Sequence, residues 1–171
     1  MEPASLRILR FRPADHGNLV GELTDLLHEA YAPLAAQGFL YVASHQPPER
    51  TLERMARGDS YLAFWEGLLV GTLSLYGPTP DSPCAYYRSP GVYHFGQFAV
   101  RPAFQGRGIA DLLLRTIEER AKSLGGMELA LDTSEGAEEL VAMYGRRGFK
   151  PVSSTQWGST NYRSIIMSKN L

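Results

Sequence analysis

The feature that most constrains the fold of this chain is a glycine-rich turn between a strand and a helix. An apolar, aromatic-rich run from Val92 to Val100 predicts the strand. The turn reads Gln105-Gly106-Arg107-Gly108-Ile109-Ala110, and a helical pattern follows it, with apolar residues at Leu112, Leu113, Leu114 and Ile117. The first amides of a helix have no intrahelical partner and carry partial positive charge, and glycine leaves room for a phosphate oxygen. The segment therefore predicts binding of a ligand that carries a pyrophosphate.

Two common phosphate-binding motifs do not fit this turn. The dinucleotide motif needs three glycines, but Asp111 follows Gly106 and Gly108 where the third glycine would stand. The triphosphate loop ends in Gly-Lys-Ser/Thr, which the turn lacks. A nucleotide-binding α/β protein is therefore a disfavoured alternative. An ordinary turn with two glycines before an amphipathic helix stays open.

The turn resembles the acyl-CoA loop of the GNAT superfamily of N-acetyltransferases, whose pattern is Gln/Arg-x-x-Gly-x-Gly/Ala. Gln105 through Ala110 match that pattern residue by residue, and Phe98 through Pro102 resemble the family's strand, which ends in a bulge and splays from its neighbour. A second motif, Met143 through Phe149, resembles the family's Tyr-x-x-x-Gly-Phe. The resemblance extends over residues 6–169, but its specific part is confined to residues 92–149. The stretch 156–164 resembles the tail of uncharacterised bacterial members.

The resemblance implies acetyl-CoA as co-substrate and assigns residues to it. The backbone of Phe98, Ala99 and Val100 would bind the pantetheine and polarise the thioester carbonyl. The residues of the turn would bind the pyrophosphate, namely Gln105, Gly106, Arg107, Gly108, Ile109 and Ala110. Arg107 could equally be a solvated surface side chain. No metal is expected, because Cys84 is the only cysteine and no Cys-rich site can form.

Two residues are candidates for proton transfer. Tyr144 matches the family's tyrosine and would protonate the leaving thiolate, and the alternative is a core aromatic. His94 is the candidate base, because it titrates near neutrality and alternation places it on the strand face of Phe98 and Val100. An inert strand histidine is the alternative. Asp132, Glu135 or a water chain could serve instead, and Asp132 could also cap the following helix.

The resemblance implies that the acceptor contacts three parts of the chain: the end of the first helix, the loop at residues 84–88 and the stretch 157–162. The candidate contacts are aromatic, which suits a cationic or apolar amine: Tyr31, Tyr86, Trp157 and Tyr162, with Tyr87 beside them. The expected reaction is direct acetyl transfer to the primary amine of a small molecule. A non-catalytic acyl-CoA-binding or regulatory module on the same fold is the alternative. A homodimer is left open.

Composition limits the partners and the compartment. The formal net charge is −1 and the longest basic run is Arg146-Arg147, so nucleic acid is not an expected partner. The Met1 end carries no long apolar run, so no signal peptide or membrane anchor is expected. A lone cysteine suits a reducing cytoplasm.

The pattern along the chain predicts one domain over residues 1–171 with an α/β fold. Strands are expected at residues 6–11, 61–65, 68–76, 92–100, 127–133, 149–157 and 164–169. A first helix is expected to run to about Tyr31 with Asp15 as its N-cap, ended by Pro33 and Gly38, and further helices are expected at residues 49–57, 109–124 and 136–147. The stretch 77–91, with four prolines and two glycines, is expected to be a functional or mobile loop. This order predicts a mixed, mostly antiparallel sheet of six to seven strands with helices on both faces.

Overall fold

Seven strands form one sheet in the computed structural model, which describes residues 5–171. They are β1 (Leu6–Arg10), β2 (Asp59–Trp65), β3 (Leu68–Tyr76), β4 (Val92–Val100), β5 (Glu128–Ser134), β6 (Lys150–Thr155) and β7 (Ser164–Asn170). Their spatial order is β1-β2-β3-β4-β5-β7-β6, and only β4 and β5 run parallel. The predicted mixed, mostly antiparallel sheet is confirmed. The expectation about the Met1 end concerns residues 1–4, which lie outside the described part, and the single domain stays a prediction.

Helices cover both faces of this sheet. They are α1 (Pro13–His16), α2 (Val20–Ala36), α3 (Pro48–Ala56), α4 (Ile109–Ser123) and α5 (Glu138–Arg146). On one face, α2 and α3 bury Leu23, Leu27 and Met55 against the sheet. On the other face, α4 and α5 bury a larger apolar cluster that includes Ile117 and Tyr144. None of the helices within residues 5–171 is both long and apolar enough to span a membrane.

The first helical region differs from its prediction at both ends. Helix α1 begins at Pro13, so Asp15 lies inside it and is not an N-cap. Proline is well placed there, because the first helical position needs no backbone N–H donor. Pro33 lies inside α2, which continues to Ala36, so it does not end the helix. Gly38, with φ of +93°, follows that end.

The predicted loop at residues 77–91 is packed against the sheet. A turn of 3₁₀ helix spans Ala85–Arg88 within it. Tyr87 is 1% exposed, and it packs with Cys84 against Val92 of β4 and Ala130 of β5. The loop therefore places an aromatic ring on the face of the sheet that also carries α2 and α3, next to the junction of β4 and β5.

Candidate active site

The strands β4 and β5 separate part of the way along their length. They pair only where residues 92–94 lie beside residues 128–130, and β5 then continues against β7. From Phe95 onward, β4 has no strand on that side, so its backbone groups there are available to a ligand. The Tyr31 hydroxyl, on α2, donates to the Phe98 carbonyl at 3.0 Å. The splay that the resemblance implied is therefore present.

A bulge in β4 changes which residues share a face. Gln97 has a φ of +49°, and β4 places Gln97 and Phe98 opposite the single residue Leu73 of β3. One extra residue reverses the alternation of side chains. His94 therefore faces the α2 and α3 side, whereas Val100 packs with Phe95 in the cluster under α4. The prediction that His94 shares a face with Phe98 and Val100 was wrong, because alternation assumes an unbroken strand.

The glycine turn opens α4 as the sequence predicted. Gly106 and Gly108 have φ of +78° and +80°, and Ile109 begins the helix. A Cβ at either glycine would meet nothing within 4 Å. The open space above these glycines and the free amides of the first helical turn suit a phosphate group.

A cavity of about 400 Å³ joins the turn, the free end of β4 and helix α5. We call it the glycine-loop cavity. Most of the predicted CoA-binding residues line it, as do Tyr31 and Tyr144: Phe98, Ala99, Val100, Gln105, Gly106, Gly108, Ile109 and Ala110. Arg107 does not line it, because its guanidinium lies over the rings of Trp65 and Phe104, 5.2 and 5.1 Å from their centroids. Sequence reasoning missed Arg147, which lines the cavity and donates to Asp111 at 2.9 Å.

Tyr144 lies at the inner wall of this cavity. Tyr144 is 7% exposed, and its ring packs edge-on against the rings of Phe95 and Phe149. Burial raises the pKa of the Tyr144 phenol well above its ordinary value of 10.0. The hydroxyl therefore keeps its proton at neutral pH and is available as a hydrogen-bond or proton donor.

On the opposite face of β4, His94 lies between two tyrosines. Its ring stacks on Tyr87 with centroids 3.9 Å apart, and it lies 5.4 Å from the ring of Tyr76. Its Nε2 is buried and has no hydrogen-bond partner among residues 5–171. Burial, and to a lesser degree the charge of Arg57, lowers the pKa of His94 from 6.5 to about 3. The ring is therefore neutral and weakly basic at neutral pH, and its role as the base stays a prediction.

Asp132 of β5 is held by two aromatic donors. The Tyr87 hydroxyl donates to Oδ1 at 2.8 Å, and the Trp157 indole N–H donates to Oδ2 at 3.0 Å. Burial raises the pKa of Asp132 above its ordinary value, although both hydrogen bonds lower it. Asp132 does not cap α5, which begins at Glu138 without a side-chain cap. We call His94, Tyr87, Asp132 and Trp157 the Asp132 cluster.

The remaining predicted residues fall in different places. The ring of Tyr162 packs on the ring of Tyr41, with centroids 4.8 Å apart. The Tyr86 hydroxyl donates to Glu128. Glu135 is exposed and lies 4.0 Å from the guanidinium of Arg163. Among residues 5–171, no three His, Cys, Asp or Glu side chains gather as a metal site would require.

Known acetyltransferases resemble this chain in sequence. The model of the Acetyltransferase (GNAT) family matches residues 22–149. The S-(2-succino)cysteine N-acetyltransferase of Bacillus subtilis (strain 168) is 27% identical over 152 residues, which cover 88% of this chain and 89% of that protein. The amino-acid acetyltransferase of Pseudomonas aeruginosa (strain LESB58) is 32% identical over 134 residues, which cover 78% of this chain but 26% of that longer protein.

Solved structures share the fold. The paia N-acetyltransferase of Thermoplasma acidophilum, in complex with coenzyme A, superposes with a TM-score of 0.74. It is 18% identical in sequence, and the match covers 98% of this chain and 99% of that one. At this identity the likeness concerns the fold alone.

Proposed function

The chain belongs to the GNAT acetyltransferase family, and from that premise we propose that it transfers an acetyl group from acetyl-CoA directly to the primary amine of a small molecule. One observation carries the proposal. The glycine turn, the unpaired end of β4 and the ring of Tyr144 meet in a single cavity. Those parts supply anion binding, carbonyl polarisation and a proton donor, and the transfer needs in addition only a base for the amine.

The residues present fit a CoA thioester. The first amides of α4, beyond Gly108, would bind the pyrophosphate, and the positive φ at both glycines keeps side chains out of its path. The backbone edge of β4 from Phe98 to Val100, which no neighbouring strand covers, would bind the pantetheine arm and polarise the thioester carbonyl. The Tyr31 hydroxyl, by binding the Phe98 carbonyl, fixes the orientation of that edge.

Tyr144 would protonate the leaving thiolate. Its raised pKa makes it a weaker acid than free tyrosine, but the same burial removes water from the thiolate and strengthens any hydrogen bond to it. The phenol therefore acts by donating its proton, or a strong hydrogen bond, only once negative charge has developed on sulfur.

The amine must lose a proton before it attacks, and we assign this step to Asp132, directly or through a water. His94 has a pKa of about 3 and a buried Nε2, so it is the weaker base of the two at neutral pH. Burial moves the pKa of Asp132 upward, toward the working range of a general base. Glu135 is exposed and lies beside Arg163.

Direct transfer is favoured over a covalent acetyl-enzyme. Cys84 is the only thiol of the chain, it is 2% exposed, and it does not line the glycine-loop cavity. A lone cysteine also suits a cytoplasmic location, which we include in the proposal. Two relatives are named for an S-substituted cysteine and for amino acids, which supports a small-molecule acceptor.

A Tyr144→Phe variant tests the proposal against a non-catalytic CoA-binding module on the same fold. We expect wild-type protein to release thiol from acetyl-CoA in the presence of at least one amine of a screened panel. We expect Tyr144→Phe to lower kcat by about tenfold or more while the CoA affinity, measured by calorimetry, is kept. Tyr61→Phe removes a tyrosine hydroxyl outside the cavity and is the control. CoA binding without turnover on any amine would favour the non-catalytic module.

A further inference from the structure

Arg54 is a cation without an ionic partner close to the candidate site. It lies in the last turn of α3, and its Nη1 donates to Oε1 of Gln46 at 2.7 Å. No carboxylate among residues 5–171 forms an ion pair with it. Its Nη2 lies 3.7 Å from the point that a Cβ on Gly96 would occupy, so the guanidinium rests against β4 where the strand has no side chain. A guanidinium has five N–H donors, and most of them are available here.

Arg54 also fixes the direction of a chain of side-chain amides. Arginine can only donate, so Gln46 must present its oxygen to Arg54 and its nitrogen to the other side. That nitrogen donates to Oγ1 of Thr51 at 2.8 Å and to Oε1 of Gln97 at 2.7 Å. Gln97 therefore has its oxygen occupied and must direct its own N–H groups elsewhere.

The N–H groups of Gln97 have no acceptor. The residue is 2% exposed, and its Nε2 is buried without a hydrogen-bond partner among residues 5–171. A buried donor without an acceptor costs free energy, and an acceptor oxygen that a ligand brings beside it would recover that cost. Gln97 sits at the bulge of β4, next to Gly96 and the guanidinium of Arg54.

A negative charge lies across the same region. The charge of Arg54 stabilises the ionised form of Asp132, although the two groups are too far apart for an ion pair. The contacts between them run through two rings: the guanidinium of Arg54 rests against Gly96, His94 lies two residues earlier on β4, and Tyr87, which stacks on His94, donates to Asp132. This arrangement offers a cation and N–H donors at one end, a carboxylate at the other and aromatic rings between them.

We propose that Arg54 and the Nε2 of Gln97 bind a carboxylate of the acceptor, so that the acceptor is an amine of the amino-acid class, with its ammonium directed to Asp132. The inference rests on the proposed function and adds the substrate class. A guanidinium matches a carboxylate in shape and charge, and the unmatched Gln97 donor supplies a further contact to its oxygens.

Paired substrates test this inference. The common L-amino acids and their C-terminal amides are compared as acceptors with acetyl-CoA, using thiol release to obtain kcat and KM. We expect at least one amino acid to exceed its amide by tenfold or more in kcat/KM. Arg54→Gln should remove that preference by raising KM for the amino acid while kcat and the activity on the amide are kept. Arg54→Lys, which keeps the charge but not the planar fork, should give an intermediate preference.

Arg50→Gln is the matched control, because it removes the same charge from an exposed position one turn earlier on α3, where Arg50 bonds to Glu53. It should keep the wild-type preference, and thermal unfolding confirms that each variant is folded. Equal use of amino acids and amides, or a preference that survives in Arg54→Gln, overturns the inference and leaves the proposed function intact.

If no amine is acetylated, the proposed function fails. Calorimetry of the same amino acids with the CoA-bound protein then decides, and binding that is absent or independent of Arg54 overturns the inference.

Discussion

The glycine-loop cavity and the Asp132 cluster lie on either side of the β4 bulge and are built in different ways. The cavity takes most of its lining from one stretch, residues 98–111, and offers backbone groups and empty space. The Asp132 cluster takes single side chains from β4, the 77–91 loop, β5 and the segment after β6, joined by hydrogen bonds and ring stacking. A site made of backbone tolerates many side chains, whereas a site made of side chains depends on each one.

Asp132→Asn tests that dependence most severely. Removing the general base should lower kcat/KM by about 10²–10⁴-fold, since proton abstraction from the amine loses its acceptor. In wild-type protein, kcat/KM should rise with pH through the raised pKa of Asp132, and the variant should lose that limb. Glu135→Gln, at an exposed position, should change neither quantity. A variant that retains the wild-type rate and pH profile would transfer the role to a water chain or to His94.

His94→Phe tests whether the same cluster makes the fold sensitive to acid. In the folded chain His94 stays neutral down to a pKa of about 3, but in the unfolded chain it gains a proton near 6.5. Its contribution is therefore complete above pH 6.5 and is lost as the pH falls toward 3, at up to about 1.4 kcal/mol per pH unit. At pH ~5, wild type should have lost roughly 2 kcal/mol that His94→Phe keeps.

Urea unfolding at pH ~7.5 and pH ~5 measures this difference, and His45→Gln is the control because His45 is exposed. Identical pH dependence of the unfolding free energy in wild type and His94→Phe would show that the His94 ring is not held neutral.

The His94→Phe variant also tests the choice of base in catalysis. If Asp132 is the base, kcat/KM should stay within about tenfold of wild type and the rising pH limb should remain.

Gly108→Val is the corresponding test of the glycine-loop cavity. Valine resists a φ of +80°, and its side chain would enter the space in front of the first amides of α4. CoA binding should weaken by more than tenfold, which is at least about 1.4 kcal/mol. Gly125→Val imposes similar strain near the other end of α4, where φ is +85°, and should leave the CoA affinity unchanged. Unchanged affinity in a folded Gly108→Val protein would remove the turn from the binding site.

The sequence predicted the cavity better than the cluster because the signals for the cavity are local. Apolar runs bounded by turn residues defined β3 and β4 to the residue, and two glycines marked the start of α4. The cluster has no such signal. Tyr87 and Asp132 are 45 positions apart, and the proline-rich loop that carries Tyr87 gave no indication of where it packs.

Two residues show why other features were missed. The resemblance implied a bulge at the end of this strand, but Gln97 adopts a left-handed conformation that a non-glycine residue rarely takes, so no residue type marked the position that turns His94 away from Val100. Arg54 is indistinguishable in sequence from a solvated arginine on an exposed helix. Only the packing of α3 against β4 places its guanidinium beside Gly96.

The bulge at Gln97 also bears on how this scaffold can be diversified. A substitution at His94, before the bulge, alters the face that carries α2 and α3, whereas the backbone edge after the bulge lines the glycine-loop cavity. One strand thus contributes a side chain to the Asp132 cluster and a backbone edge to the glycine-loop cavity, on either side of a single inserted residue. A library that randomises His94 together with Arg54 and Trp157 would therefore search new acceptors while the residues proposed to bind CoA stay unchanged.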